Sequence, residues 1–272
     1  MSDQRGIGTR RTYMEKNENG MIVTILGSGT GVPSLRRSSC STLVETGPMK
    51  MVFDLGPGTI RRLLEAGVNV SDLTHVVFTH FHPDHCSELV PLLFALKAPG
   101  MRDPGYKLTI IGGTGLAGLY EGLKGVFGHW IDLPDGLDLI ELDVAGEHCL
   151  DLEGRTLFAL PVRHNRESLA FRLEYRGRSL AVSGDTDICE NMVRIAEKAD
   201  LLICESATPD EDKREGHLTP SLAGRIATEA AVKKLVLTHF YPECDKTDIA
   251  KQCFKTYDGP LFKAEDLMRF YL

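Results

Sequence analysis

The sequence predicts a single α+β domain in which two mixed β-sheets pack face to face with helices outside. Three observations point there. Short β-rich apolar runs occur in both halves of the chain, segments with helical spacing lie between and after them, and no repeat or low-complexity linker interrupts the 272 residues. Strands and helices interleaved in both halves favour stacked sheets with outer helices. The length suits one large domain with a substantial core.

Residues 1–20 are polar and aperiodic, with Arg10 and Arg11 adjacent, and read as a flexible tail; the domain is expected over 21–272. Met21–Leu26 is the first strand. The Gly27-x-Gly29-x-Gly31 after it runs into Pro33 and not into a helix, which makes it a structural turn and not a dinucleotide loop. CSTLVET and MKMVFDLG are strands, and TIRRLLEAG is a helix with a glycine stop. THVVFTH is a buried strand, SELVPLLFALKA a helix and KLTIIG a strand. Gly112, Gly113 and Gly115 read as a tight turn into LAGLYEGLKGVFGHW, of which residues 119–130 either pack as a helix or cover the mouth of a site. DLIELDV, GRTLFALPV, SLAFRLEY and RSLAVSGD are successive strands. ENMVRIAEKA (helix), ADLLICES (strand), SLAGRIATEAAV (helix) and KKLVLTHF (strand) complete the pattern before the chain closes on FKAEDLMRFYL.

Charge and cysteine content exclude some classes. With 31 basic and 38 acidic residues the net charge is −7, opposite to the basic footprint of a nucleic-acid binder. The seven cysteines are odd in number and show no CxxC spacing, as expected of free thiols in a reducing cytoplasm. No apolar run approaches the ~20 residues of a membrane span, and no secretory signal pattern is seen.

The chemistry concentrates in FTHFHPDHCSE, where His80, His82, Asp84 and His85 fall within six positions just past a strand. Imidazoles beside a carboxylate suit zinc or a similar divalent ion. A helix would pair only residues four apart, so this spacing calls for an irregular loop. Four side chains cannot crowd one tetrahedral ion and leave room for further ligands, so two adjacent ions are expected, with more donors elsewhere. His164, Asp185 and His239 supply them, each following an apolar strand. A carboxylate in the middle of that order is suited to bridging two cations.

HxHxDH followed by His, Asp and His resembles the ligand order of the metallo-β-lactamase fold hydrolases, and the similarity runs from Met21 to Leu272. That resemblance implies an αββα sandwich. It assigns His80, His82 and His164 to one metal, Asp84, His85 and His239 to the other, and Asp185 to both. LGSGTGVPSLRRSSCSTL, VFDLGPGTIRRLLEAGV, VVFTHFHPDH, IIGGTGL and HLTPSLAGRIA followed by LVLTHF look more specifically like the ribonuclease Z branch. His217, in the HLT motif 22 positions before His239, is then the implied catalytic histidine beyond the ligands, with Glu205 beside it to keep it charged. Asp84 is a further candidate for orienting the attacking water. Asp54 resembles a buried carboxylate that supports the ligands, although a turn role is open.

The resemblance departs in one place. Only 21 positions separate His164 from Asp185, filled by two strands and a turn at Arg176-Gly177, which leaves no room for a tRNA-binding arm. The expected activity is therefore metal-dependent hydrolysis of small or cyclic phosphodiesters with two divalent ions, zinc foremost and manganese or iron possible. tRNA 3′ processing, arylsulfatase activity and a phospholigand-binding module without turnover are the alternatives. The expected partner is a small phosphodiester, with tRNA and membranes disfavoured and a homodimer compatible with the resemblance.

Overall fold

The computed structural model describes residues 20–272, so the expected tail lies outside the described residues apart from Gly20. The first sheet takes β1 (Ile22–Gly27), β2 (Ser41–Thr46), β3 (Met49–Phe53), β4 (His75–Val77), β5 (Leu108–Gly113) and β6 (Leu137–Leu142). The second takes β7 (His148–Asp151), β8 (Thr156–Pro161), β9 (Leu169–Tyr175), β10 (Arg178–Val182), β11 (Leu201–Glu205), β12 (Leu235–Thr238) and β13 (Leu261–Lys263). The last strand, β14 (Arg269–Tyr271), returns to the first sheet beside β1. The orders are β14-β1-β2-β3-β4-β5-β6 and β13-β12-β11-β10-β9-β8-β7, seven strands each.

Both sheets are mixed in the same way. β3, β4, β5 and β6 run parallel, as do β10, β11, β12 and β13, while the flanking strands are antiparallel. Parallel strands bring their carboxyl ends to one edge, which is where parallel α/β sheets collect ligand-binding loops. β11 (LLICE) is buried at every position, as a strand covered on both faces must be. Between the sheets lie Val23, Ile25, Phe53, Leu169, Phe171 and Val182, and the Phe53 and Phe171 rings meet at 6.0 Å and 55°. Such a tilted pair adds about 1 kcal/mol beyond its buried area.

Helices close the outside. α1 (Thr59–Glu65), α2 (Pro83–Cys86), α3 (Leu89–Leu96) and α4 (Leu116–Phe127) belong to the first half; α5 (Glu190–Ala196), α6 (Pro220–Glu229) and α7 (Ile249–Cys253) belong to the second. Leu63, Leu92, Leu93, Leu96, Leu116 and Tyr120 form a second apolar cluster with the outer face of the first sheet. Of α4 only Leu116 and Tyr120 are buried, so residues 119–130 belong mostly to a helix lying on that sheet. Gly112 and Gly113 are the end of β5 and not part of a turn; the turn is at Thr114 and Gly115, where φ is 105°. A side chain at Gly113 would place its Cβ 2.2 Å from the Glu167 carbonyl, so close approach of that loop accounts for the glycine. Among the described residues no helix is long and apolar enough to cross a membrane.

Candidate metal centre

The site sits where the carboxyl ends of β3, β4, β8, β10, β11 and β12 converge. Asp54 follows β3 directly and His239 follows β12 directly; both have positive φ, 61° and 60°, a conformation non-glycine residues adopt only when the surroundings fix it. His164 and Asp185 lie three residues beyond β8 and β10, slightly farther than the strand-end reading placed them. His80 and His82 are in the loop after β4. Asp84 and His85, however, are in α2, a single helical turn with Pro83 at its start, and not in an irregular loop. Proline's fixed φ suits that first helical position. Gly56 lets this turn pack, because a Cβ there would stand 2.0 Å from the Asp84 carbonyl oxygen.

The structure brings all seven expected ligands together in two overlapping sets. His80, His82, His164 and Asp185 present donor atoms within 4.8 Å of one another, and so do Asp84, His85 and His239. Asp185 faces both. Its Oδ1 is 3.4 Å from the Nε2 atoms of His85 and His239, while Oδ2 is 3.7 Å from His80 Nε2 and 3.8 Å from His164 Nε2. Asp84 Oδ2 is 3.7 Å from His239 Nε2 and 3.9 Å from His85 Nε2. His82 turns Nδ1 towards His164 Nε2, 3.3 Å away.

The carboxylate–imidazole contacts are longer than the usual hydrogen bond, and two of the atoms, His80 Nε2 and Asp185 Oδ1, are buried with no hydrogen-bond partner. Buried orphan donors and acceptors are costly unless something occupies the space between them. Neutral imidazoles and carboxylates converging at this spacing fit divalent cations.

Surrounding groups hold the rings. Thr79 donates to Asp54 through its N–H (2.8 Å) and its hydroxyl (2.8 Å), and that hydroxyl lies 3.1 Å from His80 Nδ1. Gly216 O lies 2.8 Å from His164 Nδ1, so it can accept that ring's N–H. Asn165 faces His82 Nε2 at 2.9 Å. Thr79, Asn165 and Gly216 were not singled out from sequence; only adjacency to a ligand marks the first two, and nothing marks the third.

Burial and the neighbouring carboxylates set the protonation of these groups. Desolvation, reinforced by His85, pushes the His80 imidazole down to about 2, and burial likewise lowers His164 and His217. Burial would lower His85 too, but Asp185 and Asp54 outweigh it and hold that ring well above its ordinary value. Glu205 is raised well above the usual carboxylate range by burial and then by Asp185.

His217 stands next to both sets. Its ring is 4.8 Å from that of His164 and stacks over His239 at 5.7 Å and 14°. Glu205 Oε1 lies 3.1 Å from His217 Nδ1 and accepts the Thr186 N–H at 2.7 Å. The expected pairing is therefore present, but burial outweighs the pull of Asp185 and holds His217 below its ordinary value.

Similar proteins share this frame. Residues 50–240 match the family described as Beta-lactamase superfamily domain. A ribonuclease Z of Mycobacterium bovis (strain BCG / Pasteur 1173P2) is 29% identical over 240 residues, covering 81% of this chain and 86% of that one. The uncharacterized protein Rv1339 of Mycobacterium tuberculosis (strain ATCC 25618 / H37Rv) is 31% identical over 248 residues, with 88% of each chain covered. The crystal structure of the metallo-β-lactamase fold protein YhfI from Bacillus subtilis superposes with a TM-score of 0.81 at 22% identity, covering 93% of this chain and 100% of that one. With its paired seven-stranded sheets and a histidine–aspartate cluster at their shared edge, the chain belongs to the β-lactamase superfamily of metal-dependent hydrolases, on its ribonuclease Z-like branch.

Proposed function

We propose that the protein hydrolyses phosphodiester bonds, in small or cyclic substrates in preference to tRNA. The observation that carries the chemistry is His217, held at Nδ1 by Glu205 at 3.1 Å beside both ligand sets. With Nδ1 taken, Nε2 is the nitrogen left to exchange a proton with bound substrate. Diester cleavage expels an alkoxide, which leaves faster when a positioned group protonates it, typically by 10²–10⁴-fold.

His80, His82 and His164 would hold one divalent ion, Asp84, His85 and His239 another, and Asp185 both. The bound ions would supply Lewis acidity at a phosphoryl oxygen and lower the pKa of water. Zinc is the metal proposed, and manganese or iron would accept the same donors. Asp84, partly exposed at 20%, has a second carboxylate oxygen with which to orient the incoming water.

Substrate size is argued from the interval between His164 and Asp185. β9 and β10 fill it as a hairpin, Tyr175 opposite Arg178, closed by Arg176 and Gly177 with φ of 49° and 73°. Two successive positive φ values are what a tight two-residue hairpin requires, so no protruding arm fits there. The net charge of −7 also disfavours a polyanion as long as tRNA. The relative named ribonuclease Z makes tRNA 3′ processing the second reading.

Zinc- or manganese-loaded protein tested on bis(p-nitrophenyl) phosphate, p-nitrophenyl sulfate and a tRNA precursor with a 3′ trailer separates these. Diester turnover without trailer removal is expected. Efficient trailer removal would overturn the size preference, and sulfate turnover alone would overturn the phosphodiesterase reading.

A further inference from the structure

Next to the site is a cation whose carboxylate partner stands beyond hydrogen-bond reach. Arg214 lies over the Tyr241 ring, its guanidinium carbon 4.1 Å from the centroid. Tyr241 in turn meets the His239 ring edge to face at 6.3 Å and 88°, which puts the guanidinium no more than about 10 Å from a proposed metal ligand. Its nearest carboxylate oxygen, Glu243 Oε1, is 3.9 Å away and beyond hydrogen-bond reach. Among the described residues its side chain makes no hydrogen bond, whereas Arg37, Arg155 and Arg172 all do.

The backbone beneath Arg214 is fixed. Lys213 Nζ and Gly216 N–H donate to Asp187 Oδ2 at 2.8 and 3.1 Å, and His217 N–H donates to the Arg214 carbonyl at 3.3 Å. Arg214 and His217 are thus the two ends of one turn. An arginine held over an aromatic ring, on a tethered backbone, loses less rotamer freedom on binding than a free side chain, and its planar donor fork matches phosphate. Arg214 is 43% exposed, so that fork is open to solvent.

We infer that Arg214 on Tyr241 is a subsite for a second anionic group of the substrate, so that the enzyme prefers phosphodiesters bearing a further phosphate about one nucleotide away from the scissile bond. This rests on the phosphodiesterase reading and narrows its substrate class. Lys213, the neighbouring cation, is committed to Asp187 and does not duplicate the role.

The test is calorimetric titration of zinc-loaded protein with adenosine 3′,5′-bisphosphate and with adenosine 5′-monophosphate, as the wild type and as Arg214→Gln, Arg214→Lys and Tyr241→Leu. Wild type is expected to bind the bisphosphate about ten-fold more tightly, the scale of one charge-assisted contact. Arg214→Gln should bring the ratio of the two dissociation constants close to one, and Arg214→Lys and Tyr241→Leu should lower it part of the way. A wild-type ratio of one, or an unchanged ratio in Arg214→Gln, overturns the subsite. Absence of bis(p-nitrophenyl) phosphate turnover by the same wild-type preparation would overturn the phosphodiesterase reading instead, with the binding ratio still deciding the subsite.

Discussion

Asp54 Oδ2 lies 2.8 Å from His85 Nδ1, and the same carboxylate accepts the Thr79 hydroxyl that touches His80 Nδ1. One buried carboxylate therefore orients a histidine of each ligand set, leaving both Nε2 atoms aimed inward. Supporting contacts of this kind raise ligand basicity and fix the ring. Asp54→Ala is expected to weaken metal binding about 10–100-fold, read by competition with a chromogenic chelator. Wild-type affinity in that variant would reduce Asp54 to a turn residue.

His217 and Glu205 should separate from the ligands in their effects. His217→Ala is expected to keep its metal content and lose about 10²–10⁴-fold in kcat on bis(p-nitrophenyl) phosphate. Glu205→Gln keeps a hydrogen-bonding group opposite Nδ1, where burial already raises the carboxyl well above its usual range, and should lose less. Metal analysis beside steady-state kinetics checks both. Loss of metal from His217→Ala would make it a ligand, a role its donor atom could reach through the set it shares with Asp185 and His239.

The segment carrying His217 is tied down by a residue that sequence reading passed over. Asp187 Oδ2 receives Lys213 Nζ and Gly216 N–H, and Gly216 O pairs with His164 Nδ1, so one carboxylate steadies both the His217 turn and a proposed ligand. Asp187→Asn is expected to lower kcat about ten-fold with a smaller change in KM, since slight misplacement of a catalytic group acts on the transition state. Amide exchange over residues 213–217 should quicken in parallel. Normal exchange there would show that the turn does not depend on Asp187.

The seven proposed ligands were legible because each belongs to a local pattern, either the crowded HPDH segment or a polar residue following an apolar run. The strands were legible for the same reason, down to LLICE, whose unbroken apolar character matches its burial on both faces. β7 was not, because HCLD is half polar and is a strand only by pairing with β8, and neither were β13 and β14, which at three residues each are too short for alternation to show. α7 was missed as well: five residues are too few for helical spacing to show, and its one strong signal is the Asp248 side chain accepting the Lys251 N–H. Asp187 with Gly216 and Arg214 with Tyr241 are pairings between residues 29 and 27 positions apart, and no local pattern encodes them. His80 through His85 shows the opposite failure. Its spacing marked residues that the fold does gather with His164, Asp185 and His239, but suggested an irregular loop where Pro83 starts a helical turn.

A last pair ties the loop after β1 to the short 3-10 turn Pro242–Asp245 beyond β12 and gives stability an acid limb. Arg37, 3% exposed in its side chain, donates to both oxygens of Asp245 at 3.1 and 2.8 Å, to Ser28 Oγ at 2.6 Å and to Ala264 O at 2.8 Å. It also lies 4.8 Å over the ring of Phe240, the residue after His239. Hydrogen bonds from Arg37 hold the Asp245 carboxyl well below the usual range despite the opposing effect of burial. A carboxylate whose folded pKa is depressed stabilises fully above its unfolded value, about 3.9, and the contribution fades as pH falls from there towards the folded pKa. Asp245→Asn leaves Arg37 buried without its counter-charge and should cost about 3 kcal/mol at neutral pH. Denaturant titrations from pH 7 to pH 3 should then show a gap between wild type and variant that narrows only below about pH 4. A gap that stays constant down to pH 3 would mean that Asp245 does not contribute through its charge.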